Sequence, residues 1–581
     1  MKHRYQTVLL AATIAATALT SCRDNNYDLS DIDTTTQISV NDLTVPINLS
    51  DIKMSSIIDL EDGGIVQIVD NQYCIVQQSD FESSEIQIDP VTMTCNDIES
   101  TSKWLEVPTF PGMTTMPAGL DLSFPLHSDP SRFDVNAANV TDCIKSIEEI
   151  GTDLHVTFTL SLKGFGHNNL KGFNLKGLTL LLPKHLLEVN TYGQGKYNAA
   201  TGEFRINDRY VDGEAASLTI SFGRVNFAAS GINFNAANHS ISFVGTLGVT
   251  AGDAIVNTSD IKDRTKIPSQ VEYTVDYNID DIPVHSFTGG IDYTLDDFDM
   301  PTISLTDLPD VLSQPGTDIS LVNPQIYISL HNPLAANNAK GSIGLDIIAE
   351  RNEQPDQHYP MASPLAIPAQ TDVMYVLSPL ADFTRPEGYE NAIHHPYAQL
   401  GEVVSGNGLP NMLTFKPIDT DIDTDRVIDL KIGKPLGKFT GTYYLLAPLQ
   451  LANGSKIIYS SVSDGWADDS DDLAKLTIER LSVSALISSD VPIAMEFTLH
   501  PLDSKGDIIP GVEVTKVTVP ANAKDFKLEL TATGQITDLD GIQYTALAAP
   551  GENAAALSDK MTIAVKNLRA KVSGHYTTDF D

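Results

Sequence analysis

The chain is poor in cysteine, tryptophan and positive charge. Four cysteines and two tryptophans stand in 581 residues, and 37 Lys and Arg face 76 Asp and Glu, for a formal net charge of −39. So few cysteines exclude a disulfide-dense scaffold. So much negative charge excludes nonspecific nucleic-acid binding, because no local basic patch interrupts it. The 13 histidines never form His-Glu-x-x-His, and neither a Gly-x-Ser-x-Gly elbow nor a Walker-type phosphate loop occurs. Beyond residue 22 there is no apolar run long enough, at roughly 18 residues or more, to predict a membrane helix. A hydrophobic content of 42% with 7% aromatics nevertheless predicts packed cores rather than global disorder.

The start of the chain carries the most specific signal. Lys2 and Arg4 precede the apolar stretch from Val8 to Leu19, and Leu19-Thr20-Ser21-Cys22 follows. A basic start, a short apolar centre and small residues before a cleavage point make a secretory leader, too short to span a bilayer. The tetrapeptide resembles the lipobox of bacterial lipoproteins. That resemblance implies removal of residues 1–21 and acylation of Cys22 by palmitate-type chains, so that membrane lipid becomes a partner. At about 0.8 kcal/mol per buried CH₂, two or three such chains hold a protein on a membrane. Arg23, where aspartate would favour the inner membrane, implies an outer-membrane location. Asp24, Asp28, Asp31 and Asp33 loosely resemble the acidic export signal of Bacteroidetes-type surface lipoproteins, and Asp33-Thr34-Thr35 resembles their O-glycosylation acceptor.

The far end carries a second resemblance. Val491 to Phe497, Pro501 to Gly506, Ile509 to Val512, Leu539 to Ile542 and Val565 to Leu568, with Asn26-Tyr27-Asp28-Leu29 near the start, resemble uncharacterised Bacteroidetes-type lipoproteins and their terminal β-domain. The resemblance implies location and fold. It brings no activity and no catalytic residue.

With Cys22 acylated, Cys74, Cys95 and Cys143 remain, an odd number for an oxidising compartment. Cys74–Cys95 is the shortest closure, worth about 3 kcal/mol by loop entropy. Cys95–Cys143 and three free thiols stay open as alternatives. No CxxC pair points to zinc or to a thioredoxin-like site.

Along the chain, period-two alternation dominates. Leu154 to Leu160, Ser217 to Phe222 and Val271 to Tyr277 each alternate apolar and polar residues, the mark of half-buried strands. Asp70-Asn71-Gln72 reads as a tight hairpin, as does Asn453-Gly454 between Tyr443–Leu451 and Lys456–Ser460. Asp-Gly pairs at 62–63, 212–213, 464–465 and 540–541 read as further turns. Ile52 to Leu60, Lys184 to Leu187 and Leu305 to Leu312 offer a helical turn or two. The expected fold is mostly β: tandem antiparallel β-sandwich-like modules, a small N-terminal α+β or β module and few short helices. The expected order is a leader (1–21), an acidic tether (22–39), the small module (40–112), sandwiches at 113–290 and 291–470, and a C-terminal sandwich (471–581). The strand pairs around 318–334 and 481–502, each closing on a His, Pro and Leu, hint that two of the sandwiches are related.

Candidate chemistry is sparse. Asp419 to Asp425 alternates aspartates as a calcium loop does, but the glycine and glutamate of an EF-hand are missing from register. It reads as a solvated acidic loop, or as carboxylates gathering round a structural Ca²⁺, and the acidic runs at 296–299 and 468–472 read likewise. No other cofactor is expected. The segment 351–410, with eight prolines, is the tentative binding region: His358, Tyr359, Tyr389, His394, His395 and Tyr397 sit where strand patterning is thin. Trp466 is expected in an exposed loop and Trp104 at a core edge. These features predict a non-enzymatic, lipid-anchored envelope protein that binds, adheres or supports, with an envelope protein or glycan as partner. An accessory subunit of an outer-membrane uptake system is the first alternative. A hydrolase with two carboxylates hidden among the 76 acids is the second.

Overall fold

The computed structural model describes residues 35–45, 51–60, 64–228, 232–266, 268–295, 298, 300–306, 308–351, 354–404, 409–466, 476–552 and 555–579. The expectations for the leader, Cys22, residues 22–34 of the tether, the Asp-Gly pair at 62–63, the run at 468–472 and three of the four residues at 296–299 lie outside them, while residues 35–39, expected in the tether, belong instead to the strand Thr35–Val45. Strands make up 59% of the chain and helices 4%, so the mostly β class expected from alternation is the observed one. Strand pairing is predominantly antiparallel, and Asp372–Ser378 runs parallel to Ile393–Pro396.

Contacts divide the chain into two compact units. The larger comprises residues 60–313 and 318–452. Its centre is the strand Glu149–Lys163, which pairs with Ala215–Asn226 on one side and Gln270–Ile279 on the other. The three alternating segments noted in the sequence are therefore neighbours: Phe158 stands opposite Leu218 and Tyr277, its ring edge-on to Tyr277 at 5.5 Å. Leu154, Val156, Phe158 and Leu160 are at most 1% exposed. Side chains of that size contribute about 1.5–3 kcal/mol each on full burial.

A second sheet of this unit runs Ile393–Pro396, Asp372–Ser378, Gln325–His331, Thr440–Pro448, Gln72–Glu82, Val66–Val69. The hairpin at its end forms as expected, with Asp70 and Asn71 at φ of 50° and 61°, the left-handed pair that a two-residue type I′ turn needs. The Asp419–Asp425 segment is a correction. It is no loop but part of the strand Met412–Lys431, in which Asp421 receives the Ser342 hydroxyl at 2.8 Å and Asp423 the Lys145 ammonium at 2.7 Å. Alternation that resembled a calcium loop was strand alternation, with carboxylates meeting donors from a neighbouring strand (Ser342) and a loop (Lys145).

The smaller unit comprises residues up to 59, 314–317 and 453–581. One of its sheets runs Thr35–Val45, Thr562–Asp579, Leu476–Ser489, Phe526–Ile536, Glu513–Val514, and the other runs Ile457–Ser463, Leu539–Ala549, Ala494–Asp503, Val517–Val519. Residues 40–112 are thus shared out. Thr35–Val45 and Ile52–Lys53 pair with the last strand of the chain, whereas Val66–Val69, Gln72–Glu82, Val91–Cys95 and Thr101–Glu106 pair within the larger unit. A hairpin or two cannot bury both faces alone, so these strands join sheets built by distant residues. The boundary expected at 290 falls inside the strand Ile282–Thr294.

Two turn expectations also change. Asn453-Gly454 is a turn in which only Gly454 has positive φ (96°), and its flanking strands pair elsewhere, Thr440–Pro448 with Gln325–His331 and Ile457–Ser463 with Leu539–Ala549. Asp540-Gly541 lies within the strand Leu539–Ala549. A Cβ on Gly541 would stand 2.4 Å from the Ser463 carbonyl oxygen, so the glycine serves close strand approach rather than a turn.

Candidate functional site

The segment 351–410 is more regular than its prolines implied, holding short strands at Gln357–Pro360, Leu365–Ile367, Asp372–Ser378 and Ile393–Pro396 and a helical turn at Leu400–Val403. Its polar side chains are engaged by the protein itself. His358 Nδ1 lies 2.8 Å from the Asp346 carboxylate, and the buried Tyr397 donates its hydroxyl to the Tyr359 carbonyl. His394 Nε2 meets the Ser378 hydroxyl at 3.1 Å and His395 Nε2 the Ser363 carbonyl at 3.1 Å. Tyr389 stacks on Tyr444 at 5.1 Å and 13°, against buried Tyr327. The six residues are not brought to one point. His394, His395 and Tyr397 tie parts of the segment to one another, and His358 and Tyr389 join it to Asp346 and Tyr444 outside it.

The tryptophans exchange the places expected of them. Trp104 is 59% exposed on Thr101–Glu106, which among the described residues pairs only with Gln270–Ile279, while Trp466 is half-buried with its indole N–H donating to Ser463 Oγ at 3.3 Å. The disulfide is a further correction. Cys74, Cys95 and Cys143 are free thiols. Cys74 lies on Gln72–Glu82, beside Thr440–Pro448, and Cys95 ends Val91–Cys95, beside Ser131–Ala137, so the two belong to different sheets. Burial pushes all three thiols up to about 11.

Carboxylates do gather in one groove of about 720 Å³ in the larger unit, where Glu82, Thr440, His331 and Asp372 form a row across four strands. Asp372 sits 2.9 Å from His331 Nδ1, and Glu82 is taken by Lys438. The groove is an open sheet face with both members of the His331–Asp372 pair well exposed. Acid–base hydrolysis draws on an enclosed, water-excluding cleft, and this geometry does not provide one.

A more sheltered, apolar site lies in the smaller unit. Its two sheets bound a cavity of about 360 Å³. From the first sheet come Val483, Ala485 and Ile487 of one strand and Leu528 and Leu530 of the next; Ala485 stands opposite Leu528 and Val483 opposite Leu530. From the second come Phe497 and Leu499, with Ile542 and Tyr544 beside them. Val462, Ser463 and Asp464 stand at the mouth, Val462 being 49% exposed.

The origin of the space is local. Strand Thr562–Asp579 carries a bulge opposite Ala485: Ser484 pairs with Arg569 and Leu486 with Lys566, leaving Asn567 and Leu568 against one residue, with Asn567 at φ 53°. A bulge resets side-chain parity. Ile563 and Val565 before it, and Leu568 after it, therefore all line the cavity. The smallest wall residue, Ala485, sits opposite the bulge. The sequence carried the signal, because the alternation Ile563, Val565 resumes one residue late at Leu568, Ala570, Val572.

Such a space is ligand-sized. Small-molecule sites run to roughly 300–1,000 Å³, and a dry aliphatic cavity of about 150 Å³ already admits benzene. At ~24 cal/mol per Å³ a sealed void of 360 Å³ would cost about 9 kcal/mol relative to a filled one, an upper bound for a cavity with an open mouth. Filling it with apolar matter is correspondingly favourable.

Among the described residues no group of three or more His, Cys, Asp or Glu side chains is placed to hold a metal ion, and no helix is long and apolar enough to cross a membrane. No protein family and no curated protein matches the chain. Among solved structures, the chain is similar to a "putative secreted protein" from Parabacteroides distasonis, with 13% identity over 50% of this chain and 90% of that one, at a TM-score of 0.36. A fainter likeness, 7% identity over 82% of this chain and 37% of the other at a TM-score of 0.13, is to tripeptidyl peptidase 2.

Proposed function

We propose that this chain is a lipid-anchored protein of the bacterial outer membrane with a non-catalytic binding role, and that the aliphatic cavity of its C-terminal unit holds the ligand. The observation that carries the binding role is the cavity itself, a ligand-sized apolar space with a defined mouth and a structural cause in the bulge at Asn567. Support for the anchor is the resemblance of Leu19-Thr20-Ser21-Cys22 to a lipobox.

Two measurements test the two halves. Fractionation of cells carrying Cys22→Ala should move the protein from membranes to the soluble fraction; retention on membranes would overturn the anchor. The soluble Cys22→Ala chain should bind the uncharged fluorophore N-phenyl-1-naphthylamine saturably at one site. Ala485→Trp, which fills the cavity, should abolish that binding. A linear, unsaturable fluorescence rise would overturn the binding role.

A further inference from the structure

We infer that the cavity receives the aliphatic chain of an amphiphile whose head group is uncharged or cationic, and that it discriminates against fatty carboxylates. This rests on the binding role proposed above and adds the chemistry of the ligand.

The walls decide the tail. Val483, Ile487, Leu528, Leu530 and Leu499 present branched aliphatic surface from both sheets and offer no partner for a polar atom. A ligand reaching past the mouth must leave only CH₂ and CH₃ groups there, since a polar group without a partner is costly to bury. With a water's share of liquid volume near 30 Å³ as a yardstick for one methylene, 360 Å³ accommodates a chain of up to about twelve carbons.

The mouth decides the head. The polar residues of the lining are Ser463, Asp464 and Tyr544, and no lysine, arginine or histidine belongs to it. Asp464 is an exposed member of the lining, so its negative charge stands at the rim, close to whatever head group remains outside. A second carboxylate, Asp540, accepts the Gly465 N–H at 3.3 Å just beyond it. The nearby indole N–H of Trp466, a donor that could have met an anion, is already given to Ser463 Oγ. An anionic head is therefore repelled at the edge of a low-dielectric cavity, where screening is weakest. A cationic head is attracted there, and a hydroxyl head can hydrogen-bond to Ser463, Asp464 or Tyr544.

Competition on the Cys22→Ala chain at pH 8 and low salt tests this, with bound N-phenyl-1-naphthylamine displaced by 1-decanol, decylammonium or decanoate. Decanol and decylammonium should displace at concentrations at least tenfold below decanoate. Asp464→Asn should narrow that gap to less than threefold, and Asp464→Lys should reverse the order of decylammonium and decanoate. Asp464 is an exposed mouth residue, so both variants are expected to fold. Decanoate displacing as well as decanol, with Asp464→Lys changing nothing, would overturn the head-group inference while leaving cavity binding intact. Failure of all three compounds to displace the probe, together with probe binding untouched by Ala485→Trp, would instead remove the binding role on which the inference rests.

Discussion

Replacing Ala485 with leucine should stabilise the C-terminal unit, although the residue is 6% exposed in the middle of a strand. In a close-packed interior, three added carbons would force neighbours off their rotamers at a cost of about 1–3 kcal/mol. Here they would project into a cavity of about 360 Å³. At ~0.8 kcal/mol per buried CH₂ the gain is bounded near 2.4 kcal/mol, and partial access through the mouth and lost side-chain entropy bring it to about 1–2 kcal/mol. The two tryptophans make the assay specific. Trp104 belongs to the larger unit and Trp466 to the smaller, so in a Trp104→Phe background urea unfolding followed by fluorescence reports the C-terminal unit alone. With a slope of ~1.5 kcal/mol per M, the midpoint should rise by roughly 0.7–1.3 M. The same variant should weaken N-phenyl-1-naphthylamine binding. A fall in the midpoint would mean that the space is closed in solution, and the reasoning that assigns it to a ligand would then fail.

Three further outcomes follow from other parts of the molecule. His185 packs against Phe243 at 5.6 Å with Nε2 buried and unpartnered, and burial holds it down to about 4. The unfolded chain therefore takes up that proton first. Stability from this residue is complete above about pH 6.5 and falls as pH drops toward 4, by at most ~3 kcal/mol, and His185→Phe should flatten thermal melts across that window if the account is right. The thiols of Cys74, Cys95 and Cys143, raised from 9.0 to about 11, should react with a disulfide reagent at pH 8 about 100-fold slower in the folded Cys22→Ala chain than in urea, where three equivalents should titrate; one equivalent in urea would reinstate a disulfide. Gly574→Ala would place a Cβ 2.0 Å from the Thr477 carbonyl oxygen, a backbone atom that cannot rotate away, so the variant should lose about 3 kcal/mol in the same Trp466-reported unfolding; an unchanged midpoint would contradict the strand spacing.

What could be read directly from residue order was whatever depends on neighbours within a few positions. Leu154 to Leu160 announced a half-buried strand because side-chain period and burial period coincide. Asp70-Asn71 announced its turn because both residues tolerate positive φ. The same local logic misled where a pattern had two physical meanings. Alternating aspartates at 419–425 fit a cation loop and one face of a strand equally well, and only donors such as Lys145, from a loop remote in the chain, distinguish the two. The six polar and aromatic residues of 351–410 looked available for a ligand because residue order does not reveal their pairing, whether within the segment, as with Ser363 and Ser378, or beyond it, as with Asp346 and Tyr444.

By itself, then, the sequence determined the β class, the scarcity of catalytic motifs and, through Leu19-Thr20-Ser21-Cys22, the expectation of a lipid anchor. Each rests on composition, short-range periodicity or a contiguous motif. Tertiary structure alone decided which strands share a sheet, that Cys74 and Cys95 stand apart, and that an aliphatic space opens between two sheets. Strand partners are chosen by burial of whole faces, with Thr35–Val45 pairing to Thr562–Asp579 across the length of the chain. A cavity belongs to no strand. It is the gap between surfaces, and the one-residue slip at Asn567 became legible as its cause once Ala485 was known to stand opposite.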